Sequence, residues 1–313
     1  MSESKKIIVI SGATASGKSD LALNLALESG GEIINADSLQ IYKDLPILSA
    51  QPSLKDQQKL KHHLYGFLDY DQNFSVFDWL KLVKEKTDEI FAKNKVPIIV
   101  GGSGMYISKL IEGISIIPAI SPQKKIKAKT DLDTLGLEAI IEKSQITDIK
   151  DPQKVLRAYE VWLETGKPIL YWHQQSNQKI IDNAQFIHFN LNIDRDQLYQ
   201  KCHLRFDSMI KEDAIQEVEN LLKKLPNNTQ LNNLPIARTI GFLEISNYLN
   251  QELDFEEMKK IICQKTRNYA KRQLTWFRNQ STQNSPYHTR FNVDNFLEAK
   301  NITAQFLSNL IKI

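Results

Sequence analysis

Gly12-Ala13-Thr14-Ala15-Ser16-Gly17-Lys18-Ser19 is the stretch on which the reading of the chain turns. It fits G-x-x-x-x-G-K-[ST] and lies between an apolar run, Ile7 to Ile10, and a helical pattern, Lys18 to Ser29, stopped by Gly30 and Gly31. A strand feeding a Gly-rich loop that opens a helix is the setting in which this pattern binds phosphate. The glycines let backbone N–H groups curl around phosphate oxygens, and the helix N-terminus adds positive potential. Lys18 then offers a charge and Ser19 a hydroxyl for Mg²⁺. An ordinary tight turn is the bland alternative, and the flanking strand and helix argue against it.

Outward from this loop, the first hundred residues alternate short apolar runs with helical patterns. That is the mark of βαβ units and predicts an α/β fold, a parallel sheet core of the P-loop NTPase kind. Glu32 to Ala36 reads as a second strand ending at Asp37, and Pro97 to Val100 as a third ending at Gly101-Gly102-Ser103-Gly104. In open α/β sheets ligands bind beyond the carboxyl ends of strands, so these three loops should converge on one site. A strand-end Asp beside a hydrolytic water, the usual companion of a P-loop, is not evident. Asp37 could ligate a metal through water, act as a base, or cap the next turn.

From about Ile114 the pattern changes: Pro118, Pro122, a lysine-rich stretch from Lys124 to Lys129, then helical periodicity without strands. Asp151 and Pro152 suit the cap and first turn of a helix that runs through Glu164 and ends at Gly166. Phe186 to Ile193 returns to strand character, after which helices are expected to the end. The predicted organisation is a catalytic α/β core over 1–115 and 185–313 with a helical insertion over 116–184.

With 313 residues, 42% hydrophobic and 25% charged, the composition is that of an ordinary globular protein. No run is apolar for long enough to cross a membrane, and MSESKK passes directly into the first strand, so a cytoplasmic protein without a signal peptide is expected. Cys202 and Cys263 stand far apart and read as two buried thiols. A net charge of +3 is too small to name nucleic acid as a partner, so that inference must rest on local charge. His62 and His63 are adjacent and diverge in any regular element, which favours local packing over a shared metal.

Several motifs, taken in order, make the sequence resemble the tRNA dimethylallyltransferases over nearly its whole length. They are the P-loop, Asn35-Ala36-Asp37-Ser38-Leu39-Gln40-Ile41-Tyr42-Lys43, and Gly101-Gly102-Ser103-Gly104-Met105-Tyr106. The match continues through Asp151 to Ala158, Arg205 to Met209, Leu234-Pro235 with Arg238 and Gly241, and Thr266 to Arg278. The resemblance implies transfer of a dimethylallyl group from dimethylallyl diphosphate, with Mg²⁺, to N6 of the adenosine 3′-adjacent to the anticodon. It makes Asp37 the base, places Ser103 near the reacting centre, and sets Arg205 and Lys18 on the diphosphate with residues 12–19. Through it, tRNA contact falls to Asp37, Ser38, Leu39, Gln40, Ser103, Lys125, Gln153, Lys154, Val155, Leu156, Arg157, Arg238, Gly241, Arg267, Lys271 and Arg278. The sequence departs from the family at Ala13 and Lys61, where proline is usual, and at Gln51, where a basic residue is usual. Ser103 replaces threonine, Lys125 replaces arginine, and the insertion between Thr130 and Asp151 is short.

The basic block also reads without the family. At about 100° per residue, Lys260, Arg267, Lys271 and Arg278 share a helix face, with Met258, Ile262, Tyr269 and Trp276 opposite. The aromatics are therefore expected in the core. The basic face could be merely solvated, but no acidic residue interrupts Lys265 to Arg278, which favours a phosphate backbone. Two other functions suit parts of the pattern: a nucleoside or nucleotide kinase, and a non-catalytic RNA-binding protein with a relic P-loop. Intact Lys18 and Ser19 speak against the relic. A monomer is expected, since tRNA recognition takes up much of the surface.

Overall fold

The computed structural model describes residues 5–146, 151–175, 177–280, 288–294 and 296–307. In chain order the elements are β1 (Lys5–Gly12), α1 (Lys18–Ser29), β2 (Glu32–Asn35), α2 (Leu54–Lys59), β3 (His62–His63), α3 (Val76–Ala92), β4 (Pro97–Gly101) and α4 (Gly104–Glu112). Then come α5 (Pro122–Lys143), α6 (Pro152–Thr165), α7 (Ile169–His173), β5 (Ala184–Leu191), α8 (Arg195–Lys211) and α9 (Ala214–Lys224). The chain closes with α10 (Phe242–Leu249), α11 (Phe255–Asn279), β6 (His288–Val293) and α12 (Phe296–Leu307).

The six strands form one sheet in the order β3-β2-β4-β1-β5-β6, every pairing parallel. Parallel strands carry helices on both faces and so become apolar throughout. Ile7, Ile8, Val9 and Ile10 are accordingly fully buried, as are Ile98 and Ile99. Because all strands run the same way, the ends of β1, β2 and β4 lie along one edge, and the three loops singled out in the sequence emerge there. The helix boundaries follow local chemistry. Gly30 closes α1 in the left-handed region at φ 64°, and Ser75 and Asp78 form a capping box for α3.

One feature departs from the sequence reading, and one follows it. The tail does not run as helices alone: β6 pairs with β5 from Phe186↔His288 to Leu191↔Val293. His62 and His63 form the short edge strand β3, where His63 Nε2 meets Glu32 at 2.7 Å while His62 Nδ1 faces the Leu60 carbonyl at 3.1 Å. Local packing, as read from the sequence, accounts for both histidines.

The chain separates into two compact units, 1–111 with 181–313, and 112–180. In the sheet unit, Cys202 and Cys263 are both buried free thiols. In the helical unit α5, α6 and α7 pack around Ile140, Val155, Tyr159 and Ile169. Asp151 accepts the N–H of Lys154 at 3.1 Å and Gly166 caps the other end at φ 69°, so α6 begins and ends where its sequence places it. Gly136, at φ 80° and ψ 170°, breaks α5 internally.

Candidate active site

The loop from Gly12 to Ser19 is wound by local constraint. Gly17 lies in the left-handed region at φ 92° as the cap of α1, and Ala15 adopts φ 63°. A Cβ on Gly12 would stand 2.7 Å from Ser16 Oγ and 3.2 Å from Leu191 Cβ, so any larger residue at the end of β1 would crowd the loop. Lys18 folds back across the loop and its ammonium donates to the Ala13 carbonyl at 3.2 Å. Burial lowers its pKa to about 8; Asp37 pulls it up and Arg205 pushes it down. The buried Ser16 hydroxyl has no partner in the protein, a donor suited to an anion oxygen. Among the described residues no three His, Cys, Asp or Glu side chains cluster to hold a metal. Exposed Ser19 at the start of α1 fits a Mg²⁺ held mainly by phosphate oxygens and water, the usual habit of that ion.

Asp37 follows β2 and its position is set by Asn35, which is fully buried. The Asn35 amide accepts the N–H of Asp37 at 2.8 Å and donates to the carbonyls of Asp37 and Leu64 at 2.9 and 3.0 Å. Trp79 Nε1 in turn donates to the Asn35 carbonyl at 2.8 Å. One carboxylate oxygen of Asp37 accepts the N–H of Leu39 at 3.0 Å, the turn-capping contact that its sequence position suggested. Arg205 on α8 is half-buried; burial lowers its pKa, with Asp37 the leading opposing influence. Lys18 and Arg205 therefore share one carboxylate as counter-charge. Ser103 belongs to the same cluster: its hydroxyl accepts the N–H of Ser38 at 3.0 Å, and its own N–H donates to the Ala36 carbonyl at 3.2 Å. The approach of these loops is so close that a Cβ on Gly101 would sit 2.1 Å from the Ala36 oxygen.

Asp37, Leu39, Cys202, Arg205 and Tyr269 line a cavity of about 70 Å³ together with Thr14. Its wall also carries Thr239, whose buried hydroxyl has no protein partner. Tyr269 reaches the cavity from α11, so the sequence reading of this helix needs correcting. The stripe through Met258, Ile262, Tyr269 and Trp276 is core at its beginning, cavity wall at Tyr269, and surface at Trp276, which is 43% exposed. Gln273 lies on the same stripe and is buried. It accepts the N–H of Thr14 at 2.8 Å and donates to the Gly102 carbonyl at 3.0 Å, tying the P-loop to the Gly-rich loop. Asn35 and Gln273 were both missed by sequence reasoning. Each is a neutral amide acting on backbone, a contact that no spacing announces.

The remaining candidates separate by unit. In the sheet unit Arg238, Lys271 and Arg278 are exposed. Arg267 is engaged by His203 at 2.9 Å and by Gln264 at 2.6 Å. Gln40 donates to the carbonyls of Ser49 and Ala50, and Gln51 to that of Tyr42, so both amides brace their own loop. Gly241 caps α10 at φ 103° against Leu48. In the helical unit Lys125, Gln153, Lys154 and Arg157 are exposed, Arg157 paired with Glu160 at 3.1 Å. Leu156 is half-buried. Val155 is fully buried in the unit's core, so its side chain is a packing residue rather than the surface contact expected.

A parallel sheet with a P-loop, and a carboxylate at the end of its second strand whose charge acts on Lys18 and Arg205, defines a phosphate-binding α/β enzyme site. The model of the family described as IPP transferase matches residues 40–280. A tRNA dimethylallyltransferase from Pelagibacter ubique is 39% identical over 291 residues, covering 90% of this chain and 91% of that protein. A eukaryotic dimethylallyltransferase acting on tRNA superposes with a TM-score of 0.80 at 26% identity, over 98% of this chain and 80% of the other. The tRNA isopentenylpyrophosphate transferase of Bacillus halodurans gives 0.65 at 28%, covering 97% of each chain. This chain belongs to the IPP transferase family, alongside the tRNA dimethylallyltransferases.

Proposed function

We propose that the protein transfers a dimethylallyl group from dimethylallyl diphosphate to N6 of the adenosine 3′-adjacent to the anticodon of tRNA, working as a cytoplasmic monomer. The observation that carries this reading is a cavity lined by Asp37, Arg205 and the P-loop's Thr14, beside a loop whose buried Ser16 hydroxyl is unpartnered and whose Lys18 feels the charge of Asp37. In the reaction the bond from the allylic carbon to the diphosphate oxygen breaks as the bond to N6 forms. Negative charge grows on the leaving diphosphate, where the P-loop N–H groups, Lys18 and Arg205 stabilise it more than in the ground state. Ser19 is the residue that would hold a Mg²⁺ together with diphosphate oxygens, and the ion would supply further neutralisation when bound. The N6 proton passes to the free carboxylate oxygen of Asp37, and Ser103 orients the group on which it acts. An adenine within the anticodon loop reaches such a cavity only when flipped out of its stack. The exposed cations of α11 and of the helical unit supply phosphate contacts that position the RNA.

Incubation with Mg²⁺, labelled dimethylallyl diphosphate and unmodified tRNA tests the reading directly. Label should appear in tRNA, at an adenosine beside the anticodon. Absence of transfer would overturn it, as would transfer of the γ-phosphate to a small acceptor in a parallel incubation with ATP and nucleosides.

A further inference from the structure

Trp276 stands out as a large aromatic ring on a basic surface. It is 43% exposed, and no acidic residue lies between Met258 and Val293. Lys271 and Arg272 are exposed beside it and, with Asn268 and Thr275, line the same open concavity of about 650 Å³. The indole is also mounted firmly. A Cβ on Gly104 would meet its Cδ1 and Nε1 at 2.2 Å, so the ring edge lies against the Gly-rich loop one residue beyond Ser103. Tyr269, seven residues earlier and about 10 Å along the helix, lines the cavity that holds Asp37.

We propose that Trp276, flanked by Lys271 and Arg272, is a stacking platform for an unpaired base of the RNA, a loop nucleotide neighbouring the one that enters the cavity. The inference rests on the tRNA reading above. A rigid indole offers a π-face that any base can cover, and the adjacent cations meet the phosphates on either side of that base. Charge complementarity selects nucleic acid over a protein helix, which would seek apolar neighbours rather than Lys271 and Arg272.

The test uses the full chain and anticodon stem-loop RNAs, intact or carrying a single abasic site at each loop position. Trp276→Leu keeps bulk against Gly104 without a π-face and should weaken binding of the intact RNA about tenfold, equivalent to about 1.4 kcal/mol. Trp276→Tyr should bind within about threefold of the native protein. In the native protein one abasic position should cost about tenfold, and that cost should vanish in Trp276→Leu. The salt dependence should be unchanged in Trp276→Leu and shallower in Arg272→Ala. Native affinity in Trp276→Leu overturns the platform, as does a weakened variant in which every abasic cost persists. If the native protein binds no stem-loop, the tRNA reading itself has failed.

Discussion

At Asp37, one carboxylate oxygen accepts the N–H of Leu39, a bond that an asparagine side chain can also accept. Asp37→Asn should therefore fold with native stability and lower kcat by about a hundredfold or more, since the amide cannot take the N6 proton. Single-turnover transfer at several Mg²⁺ concentrations decides it: full activity removes Asp37 from proton transfer, and rescue by Mg²⁺ makes it a metal-supporting group. Lys18→Ala should retain tRNA affinity but raise the barrier by roughly 2–4 kcal/mol, because the ammonium acts on charge that develops in the transition state. The pKa of Lys18, lowered to about 8 by burial, adds a pH signature. Its charged form is lost as pH rises through that value, so kcat/KM should fall on the alkaline side near pH 8. A profile flat to pH 10 would mean that the lysine charge is not needed.

Among the elements, α11 does the most to join the loops, and Gln273 is its point of contact. Gln273→Leu would leave the N–H of Thr14 and the carbonyl of Gly102 unpaired inside the protein, at a cost of about 1–3 kcal/mol for each group. A lower melting temperature and a raised KM for the prenyl donor are the expected result; an unchanged KM would show that the tie does not shape the diphosphate site. Much of the first half of the fold was legible because glycine, proline and capping residues announce it, as at Gly17, Gly30, Asp151 and Gly166. β6 was not, because its polar residues are satisfied by partners remote in sequence. Arg290 donates to the carbonyls of Phe277 and Gln280 at 2.7 and 2.8 Å, closing the end of α11, and His288 meets His188 at 3.3 Å. Trp276 was misplaced for a related reason. Helical spacing fixes which residues share a stripe, but what that stripe faces changes along a 25-residue helix.

For the molecule as a whole, buried histidines set the response to acid. Burial, the His288 ring and Arg290 hold His188 well below its ordinary pKa, and burial and Arg290 bring His288 to about 4. Both are neutral in the native state, so the unfolded chain binds more protons below pH 6.5 and stability falls from there toward pH 4. Glu32 extends the loss. Burial raises its pKa, but hydrogen bonds from Lys95 and His63 outweigh that and bring it to about 2, so its contribution disappears between pH 4.5 and 2. Melting curves should drop by about 5 °C or more between pH 7 and 4, and His288→Gln should flatten the upper part of that fall. The helical unit shows a different economy. Ile114 and Gln178, near its two ends, exchange backbone hydrogen bonds of 3.0 Å in each direction. Entry and exit are thus buttoned together, and the chain between them is a detour that starts and finishes at one address. Such a detour can be lengthened, shortened or replaced without rethreading the strands before and after it. Splicing 111 to 181 through a few glycines should give a protein that still melts cooperatively and still binds diphosphate.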